Sequence, residues 1–159
     1  PLFYLPEKAA AAWGMSLADG RSRRSPDLGQ LDVIAQVPFY LGDHADRAID
    51  AYRQNVALYV GGMGARGANF YNDLAVGYGF VDEAATVQEL YLTGRKDEAA
   101  AALPDELVHG TALIGSENEV RARVDALLAS GVTTISVKPL APSRAERVEQ
   151  LEALRAILG

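Results

Sequence analysis

Residues 116–146 read SENEVRARVDALLASGVTTISVKPLAPSRAE, and this stretch decides the fold class. Residues 116–119 form a capping box that predicts the start of a helix, and Gly131 predicts its end. The branched residues that follow predict a buried strand over 132–138. A second capping box, at 143–146, opens the last helix. Helix, strand and helix joined by short loops are typical of a parallel α/β fold.

Two other stretches have strand character. Residues 31–37 form a nearly continuous apolar run, which is typical of a strand covered on both faces. Residues 1–4 are also apolar, and we expect them to be the end of a buried strand cut from a longer chain. We predict that 31–37 and 132–137 are adjacent parallel strands, joined by a crossover that contains helix 44–60 and the middle helices. A (β/α)8 barrel needs eight strands, so the chain holds at most the last part of one.

The composition excludes several classes of function. The chain has 159 residues, which suits a single domain over 1–159, and a net charge of −6 with no cysteine. The absence of cysteine excludes disulfides, a cysteine nucleophile and thiolate metal sites. The acidic balance argues against nucleic acid and anionic membranes as partners, and no apolar run is long enough for a membrane span. His44 and His109 lack ligand spacing, so we expect no metal site and a cytoplasmic protein.

A glycine motif in the middle of the chain matches a nucleotide-binding pattern. Gly62, Gly64 and Gly67 fit G-x-G-x-x-G, and Asp82 follows Gly62 by 20 residues. That fingerprint requires a strand before the first glycine, whereas residues 45–60 have helical periodicity. We therefore favour a loop that ends a helix over a dinucleotide-binding domain.

The same loop still supplies candidate site residues. Successive backbone N–H groups, as at Gly62 and Gly64, can hold an anion. We expect Met63 or Arg66 to reach toward a cavity or a partner. Asn69 follows directly and is a further candidate for contact with a substrate or an anion.

The ends of the two predicted strands supply the other candidates. Lys138 stands at the carboxyl end of its strand, which is the end that faces the active site in a (β/α)8 barrel. It suits an anionic group, and a solvated lysine is the alternative. Phe39 and Tyr40 hold the same position after the other strand. They would form the wall of a planar ligand site, or else belong to the core or to a lid.

Several segments together resemble the luciferase-like monooxygenase superfamily, in the branch of oxidoreductases that depend on coenzyme F420, a deazaflavin. They are ALYVGGMG at 57–64, NFYN at 69–72, GRKDEAA at 94–100, PDEL at 104–107, IGS at 114–116 and GVTT at 131–134. The resemblance extends over nearly the whole chain.

The resemblance implies an α/β fold that is the C-terminal part of a TIM (β/α)8 barrel, with a helical insertion over about 61–110 before the last strand. It implies hydride transfer between coenzyme F420, or alternatively FMN, and a small organic substrate. The residues that hold the coenzyme would lie mostly upstream of Pro1, so neither they nor catalytic residues are assigned here. If an acid or base lies in this part, the candidates are Lys138, Tyr40 and Asn69.

The resemblance also implies a partner, either the missing N-terminal half or another copy of the chain. Exposed strand edges would need such a cover. The alternative is a non-catalytic helical interaction fragment or a proteolysis product. We expect that the lone chain does not bind the coenzyme with useful affinity.

Overall fold

A computed structural model describes residues 2–159 of the chain, and within this range there are eight α-helices and three strands. In chain order they are α1 (Ala9–Ser22), β1 (Ile34–Leu41), α2 (Ala45–Ala57), α3 (Phe70–Gly77), α4 (Val81–Leu92), α5 (Lys96–Ala101), α6 (Asp105–Gly110), β2 (Leu113–Gly115), α7 (Glu117–Ala129), β3 (Thr134–Pro139) and α8 (Arg144–Leu158). A π-helical turn over Leu58–Gly62 continues α2. The two capping boxes, at 116–119 and 143–146, begin α7 and α8 as predicted.

The three strands form one parallel sheet with β1 in the centre of the order β2-β1-β3. β1 pairs with β3 from Ile34 opposite Thr134 to Phe39 opposite Pro139. This pairing confirms that the two predicted strands are parallel neighbours. The crossover between them holds α2–α7, and it also holds β2, which pairs with the other edge of β1. The chain therefore has an α/β fold with a parallel sheet.

The strand bounds differ from the prediction, and a local contact accounts for the start of β1 at Ile34 rather than at Val33. β1 covers 34–41 rather than 31–37, and β3 covers 134–139. Before β1, the N–H of Val33 donates to Oγ1 of Thr133 at 2.9 Å, and the carbonyl of Val33 accepts from the N–H of Thr133 at 2.9 Å. The threonine side chain thus takes a place in the hydrogen-bonding pattern, and the regular ladder begins one residue later.

The third strand is β2, whereas the sequence pointed to residues 1–4. Within those residues, Leu2 forms a single parallel bridge with Gln36, and Pro1 lies outside the described residues. Leu2 lies along the same edge of β1 as β2, because β3 occupies the other edge. β2 has only three residues, which is too short for a hydrophobic pattern to reveal it.

Two clusters of buried apolar residues form the interior. We call the first the helical body; its buried residues come from α2–α6 and their connections, with Phe3, Leu5 and Ala112. The second, the sheet layer, joins β1 and Leu113 to α7 and α8, with Tyr4, Ala9, Val33 and Val132; its central members are Ala35, Val37, Phe39, Val120, Val124, Leu127 and Leu154. The segment predicted as helical over about 61–110 contains α3–α6 and belongs to the helical body.

The sheet is covered on one face only. Ala35 and Phe39 of β1 have no exposed area, whereas Ile34, on the opposite face, is 49% exposed. Thr134, Ser136 and Lys138 of β3 are also exposed. Because neighbouring residues of a strand point to opposite faces, this alternation defines a closed face toward the helices and an open face. Within residues 2–159, no helix is both long and apolar enough to cross a membrane.

Candidate functional site

A cavity of about 660 Å³ lies at the carboxyl ends of β1 and β3, between the open face of the sheet and α2. This position follows from the topology. The carboxyl ends of parallel strands meet at one edge of a sheet, and the helix that follows β1 starts there. A volume of this size is within the range of small-molecule sites, about 300–1,000 Å³.

One stripe of α2 and its flanks forms the helical wall of the cavity. The stripe consists of residues at spacings of three and four, namely His44, Arg47, Ala48, Ala51, Tyr52, Asn55 and Tyr59. Such spacing places side chains on the same side of a helix. The wall therefore changes from basic at the start of α2 to aromatic at its end.

The sheet forms the opposite wall, chiefly through β1. Gln36, Val37, Pro38 and Tyr40 line the cavity, and Lys138 of β3 lies opposite Pro38 in the strand register. The end of β1 is held by Gln150 of α8: its Oε1 accepts from the N–H of Leu41 at 2.7 Å and its Nε2 donates to the carbonyl of Leu41 at 2.8 Å. These bonds fix the strand end where the pairing with β3 stops.

The loop between β3 and α8 completes the rim. Leu140 and Pro142 of this loop line the cavity, together with Glu146 of the first turn of α8. Nε of Arg147 donates to the carbonyl of Ala141 at 2.7 Å, and Nη2 donates to the carbonyl of Pro142 at the same distance. The loop is therefore tied to the first turn of α8, which gives the rim a defined shape.

The charges at the cavity are mostly positive, although the chain is acidic overall. Arg47 and Lys138 are cationic, and Glu146 is the acidic residue of the described lining. Hydrogen bonds from the Ser143 hydroxyl and backbone N–H lower the pKa of Glu146, because they favour its charged form. The same bonds form the capping box, so this carboxylate is engaged at the start of α8.

Tyr52 joins the cavity to the helical body. Its side chain is 6% exposed, and its hydroxyl lies 2.8 Å from Oγ1 of Thr111 and 3.3 Å from the carbonyl of Thr111. Burial raises the pKa of Tyr52 well above its ordinary value, and the hydrogen bond with Thr111 opposes this only in part. The phenol is therefore neutral at physiological pH, and its hydrogen-bonded ring forms the aromatic base of the cavity.

Of the residues proposed from the sequence, Tyr40 and Lys138 line the cavity together. Phe39 does not, because it lies within β1 and points to the closed face, where it has no exposed area. Of the alternatives for these aromatic residues, the core position therefore applies to Phe39. The wall position applies to Tyr40, since the two are consecutive in a strand.

The glycine-rich loop lies outside the described lining. A helix, and not a strand, runs into Gly62, which removes the structural context of a dinucleotide fingerprint. A Cβ on Gly61 or Gly62 would overlap the side chain of Tyr91, so these glycines allow α4 to pack closely against the π-helical turn. The loop after the helix begins at Met63, whereas the prediction started it at residue 61.

The other residues of this segment have structural contacts. Met63 is 52% exposed, and Arg66 forms an ion pair with Glu89 of α4. A Cβ on Gly64 would overlap the backbone at Ala68. None of these residues, including Gly62, is part of the described cavity wall.

Asn69 is buried and fully hydrogen bonded. Its Oδ1 accepts from the N–H groups of Tyr71 and Asn72, which caps α3. Its Nδ2 donates to the carbonyls of Tyr59 and Val60 at 3.0 Å each. These bonds engage both ends of the amide, and they satisfy carbonyls that the π-helical turn leaves free.

The sequence reasoning missed several lining residues, above all Arg47, His44 and Asn55. His44 and Arg47 stand at the start of the helix that directly follows β1, and Asn55 lies on the same stripe near the end of that helix. His44 is exposed and holds the N-cap position of α2. Within residues 2–159, no group of three or more His, Asp or Glu side chains is arranged to hold a metal ion.

Comparisons with known proteins agree with the resemblance noted in the sequence. The family model for luciferase-like monooxygenases matches residues 1–134. The Mycobacterium tuberculosis protein Rv3520c, named as a coenzyme F420-dependent oxidoreductase, is 35% identical over 158 residues, which cover 97% of this chain and 44% of that protein.

A solved structure shares the fold. The coenzyme F420-dependent tetrahydromethanopterin reductase of Methanopyrus kandleri superposes with a TM-score of 0.61 at 21% identity, over 92% of this chain and 40% of that one. The chain thus spans less than half the length of the relatives it matches. The family match over most of its residues shows that this chain belongs to the luciferase-like monooxygenase family.

Proposed function

We propose that this chain forms the carboxyl-terminal part of a (β/α)8 barrel and, with the rest of the barrel, an oxidoreductase that uses coenzyme F420. The observation that carries the proposal is the cavity at the carboxyl ends of β1 and β3, on the open face of the sheet. Active sites of (β/α)8 barrels lie at that end of the strands.

The exposure pattern of the sheet supports the barrel. In a closed barrel one face of the sheet packs against outer helices and the other fills the interior. Here α7 and α8 pack on the closed face, and Ile34, Ser136 and Lys138 of the other face are exposed. An interior that is only part formed would leave these side chains exposed in this way.

The occupant that we propose for the open face is a polypeptide corresponding to the rest of the relatives' length. Its size follows from coverage, because the chain matches 44% of the Mycobacterium tuberculosis protein. The free edge beside Leu2, where one parallel bridge to Gln36 forms, would receive the preceding strand. A second copy of this chain is the competing occupant.

The described residues fit a planar, mostly apolar ring with polar edges. Pro38 and Tyr40 offer flat surfaces on the sheet, and Tyr52 and Tyr59 offer aromatic surfaces on the helical wall. Both coenzyme F420 and FMN present such a ring, and the named relatives favour F420. When bound, the coenzyme supplies the hydride chemistry.

The residues of this chain contribute position and exclusion of water. Pro38 and Tyr40 would pack against one side of the bound molecules, and the neutral phenol of Tyr52 supports the base of the cavity. Of the proposed proton carriers, Tyr40 and Lys138 face the cavity, so each is placed to exchange a proton with a small organic substrate. Asn69 is engaged in capping and does not line the cavity.

The test is a titration of coenzyme F420, and separately of FMN, by equilibrium dialysis. We expect no binding in the micromolar range for the chain alone, because much of the cavity is open and contacts with water weaken polar interactions. Co-expression with the missing part of the barrel is expected to restore binding. Micromolar binding by the lone chain, or a stable dimer of identical chains that closes the cavity, would contradict the proposal.

A matched pair of variants makes this test specific to the open face. Ser136→Arg places a long cationic side chain on the open face and is expected to prevent assembly with the rest of the barrel. Ala122→Arg adds the same side chain to the exposed surface of α7 and is expected to leave assembly unchanged. Equal assembly of both variants would argue against the open face as the barrel interior.

A further inference from the structure

Two basic side chains line the cavity from opposite walls. Arg47 comes from the first turn of α2, and Lys138 comes from the end of β3. Within residues 2–159, neither forms an ion pair, whereas Arg53, Arg66, Arg95, Arg121 and Arg123 all pair with carboxylates. Two unpaired cations on facing walls of one cavity are available to a ligand.

The start of α2 adds to this positive character. His44 holds the N-cap position, but its side chain accepts no hydrogen bond from the helix. The N–H of Ala45 donates to the carbonyl of Gly42 at 3.1 Å, whereas the N–H groups of Asp46 and Arg47 have no partner within the described residues. These two donors and the positive end of the helix dipole therefore lie at the rim. The imidazole of His44 supplies a further N–H donor at the same rim.

The carboxylates near this group offset its charge only in part. Asp43, Asp46 and Asp50 lie on or beside α2 but are not part of the described lining. Glu146 lines the cavity and keeps its negative charge, because the hydrogen bonds at the Ser143 capping box favour its ionised form. Arg47 and Lys138 outnumber this one carboxylate, so the described lining keeps a net positive charge.

We infer that Arg47, Lys138 and His44 form a subsite that binds an oxyanion of the substrate, a carboxylate or a phosphate. This inference rests on the proposed function, because it assigns the substrate class of the same cavity. The oxyanion would lie between α2 and the end of β3, and the organic part of the substrate would extend along Pro38 and Tyr40. A guanidinium such as that of Arg47 can donate two parallel hydrogen bonds to an oxyanion, and the ammonium of Lys138 would act as a point charge.

The subsite lies wholly within this chain, so the lone chain suffices for the test. Inorganic phosphate is titrated into ¹⁵N-labelled protein at constant ionic strength, and amide shifts are followed by NMR. We expect saturable shifts that centre on residues 44–48 and on Lys138. Benzoate is expected to produce the same pattern, and benzamide, its neutral counterpart, is expected to bind at least tenfold more weakly.

Three variants make the test decisive. Loss of one charge-assisted contact weakens binding by roughly tenfold, so we expect this change for Arg47→Gln and again for Lys138→Gln. Arg155→Gln removes an exposed cation of α8 outside the cavity and is expected to change nothing. An equal effect of Arg155→Gln, or shifts spread over all exposed basic residues, would overturn the subsite. So would phosphate binding that both cavity variants leave intact.

The anion subsite and the proposed oxidoreductase function can fail independently of each other. Phosphate binding at the rim, together with no coenzyme binding in the assembled barrel, would remove the oxidoreductase and keep the anion subsite. Coenzyme binding in the assembled barrel, together with no phosphate binding at the rim, would remove the subsite alone.

Discussion

The helical body and the sheet layer bury their apolar residues to different extents. The helical body closes on itself: Val56, Val87 and Val108 are fully buried among neighbouring helices. The sheet layer is closed on one face only, and the other face opens on the cavity. The helical body therefore completes its core with its own residues, whereas the open face of the sheet remains available to a ligand or to another polypeptide.

The largest effect is expected on the closed face of the sheet. Phe39→Ala removes a fully buried ring from the sheet layer and should lower the free energy of unfolding by about 3–5 kcal/mol. Tyr40→Ala, at the next position of the same strand, faces the cavity and should cost less than about 1 kcal/mol. Urea denaturation measures both. Similar losses at the two positions would mean that the faces do not differ.

The helical body should resist added volume where α4 meets the π-helical turn. Gly61→Ala places a methyl group against Tyr91, and we expect a loss of about 1–3 kcal/mol. Gly14→Ala, within α1, meets no atom within 4 Å and should stabilise the fold by about 0.4–1 kcal/mol, since it reduces the freedom of the unfolded chain. A neutral result for Gly61→Ala would show that Tyr91 moves aside.

The stability of the protein at alkaline pH tests whether the Tyr52 hydroxyl is shielded from water where the helical body borders the cavity. Because burial raises the pKa of Tyr52 in the folded state, the folded protein keeps a proton that the unfolded chain loses. Stability is then complete below about pH 10 and falls above it, by up to about 1.4 kcal/mol for each pH unit.

The control for this prediction is Tyr52→Phe, measured by urea unfolding across the same alkaline range. Its stability should fall less steeply with pH, although loss of the bond with Thr111 lowers its value at neutral pH. The pKa of Tyr78 is also raised, chiefly by burial, so a residual decline should remain. Parallel curves for the two proteins would show that Tyr52 ionises as freely in the folded state as in the unfolded chain.

The smallest effect is expected on the open face. Lys138→Ala removes an exposed side chain that forms no ion pair within the described residues, and stability should change by less than about 0.5 kcal/mol. Thermal unfolding of the lone chain checks this. A larger loss would mean that Lys138 supports the sheet rather than a ligand.

Local signals predicted the capping boxes before α7 and α8 and the helix before Gly62, which depend on neighbouring residues. The parallel pairing of β1 with β3 is not local, and it was predicted from the rule for crossovers between parallel strands. β2 was not, because a three-residue strand exists only through its pairing with Phe39, Tyr40 and Leu41. The same limit applies to the single bridge of Leu2.

Some residues of the candidate site were predicted from the sequence and others were not. Tyr40 and Lys138 were found because a residue at the carboxyl end of a parallel strand has a defined place in the fold. Met63, Arg66 and Asn69 were chosen from a motif, and in the structure they serve the junction between α2 and α3 or lie exposed beside it. Arg47 carries no motif and was missed.

The sequence by itself determined the α/β class, the family and two of the three strands of the sheet, β1 and β3, because periodicity, caps and family segments are local properties of the chain. Only the tertiary structure decided which face of β1 is open, that the start of α2 brings Arg47 to the same cavity as Lys138, and that the amide of Asn69 donates to carbonyls of the preceding turn. These features depend on how elements distant in the chain pack together. The distance between two such elements cannot be predicted from the sequence of either segment alone.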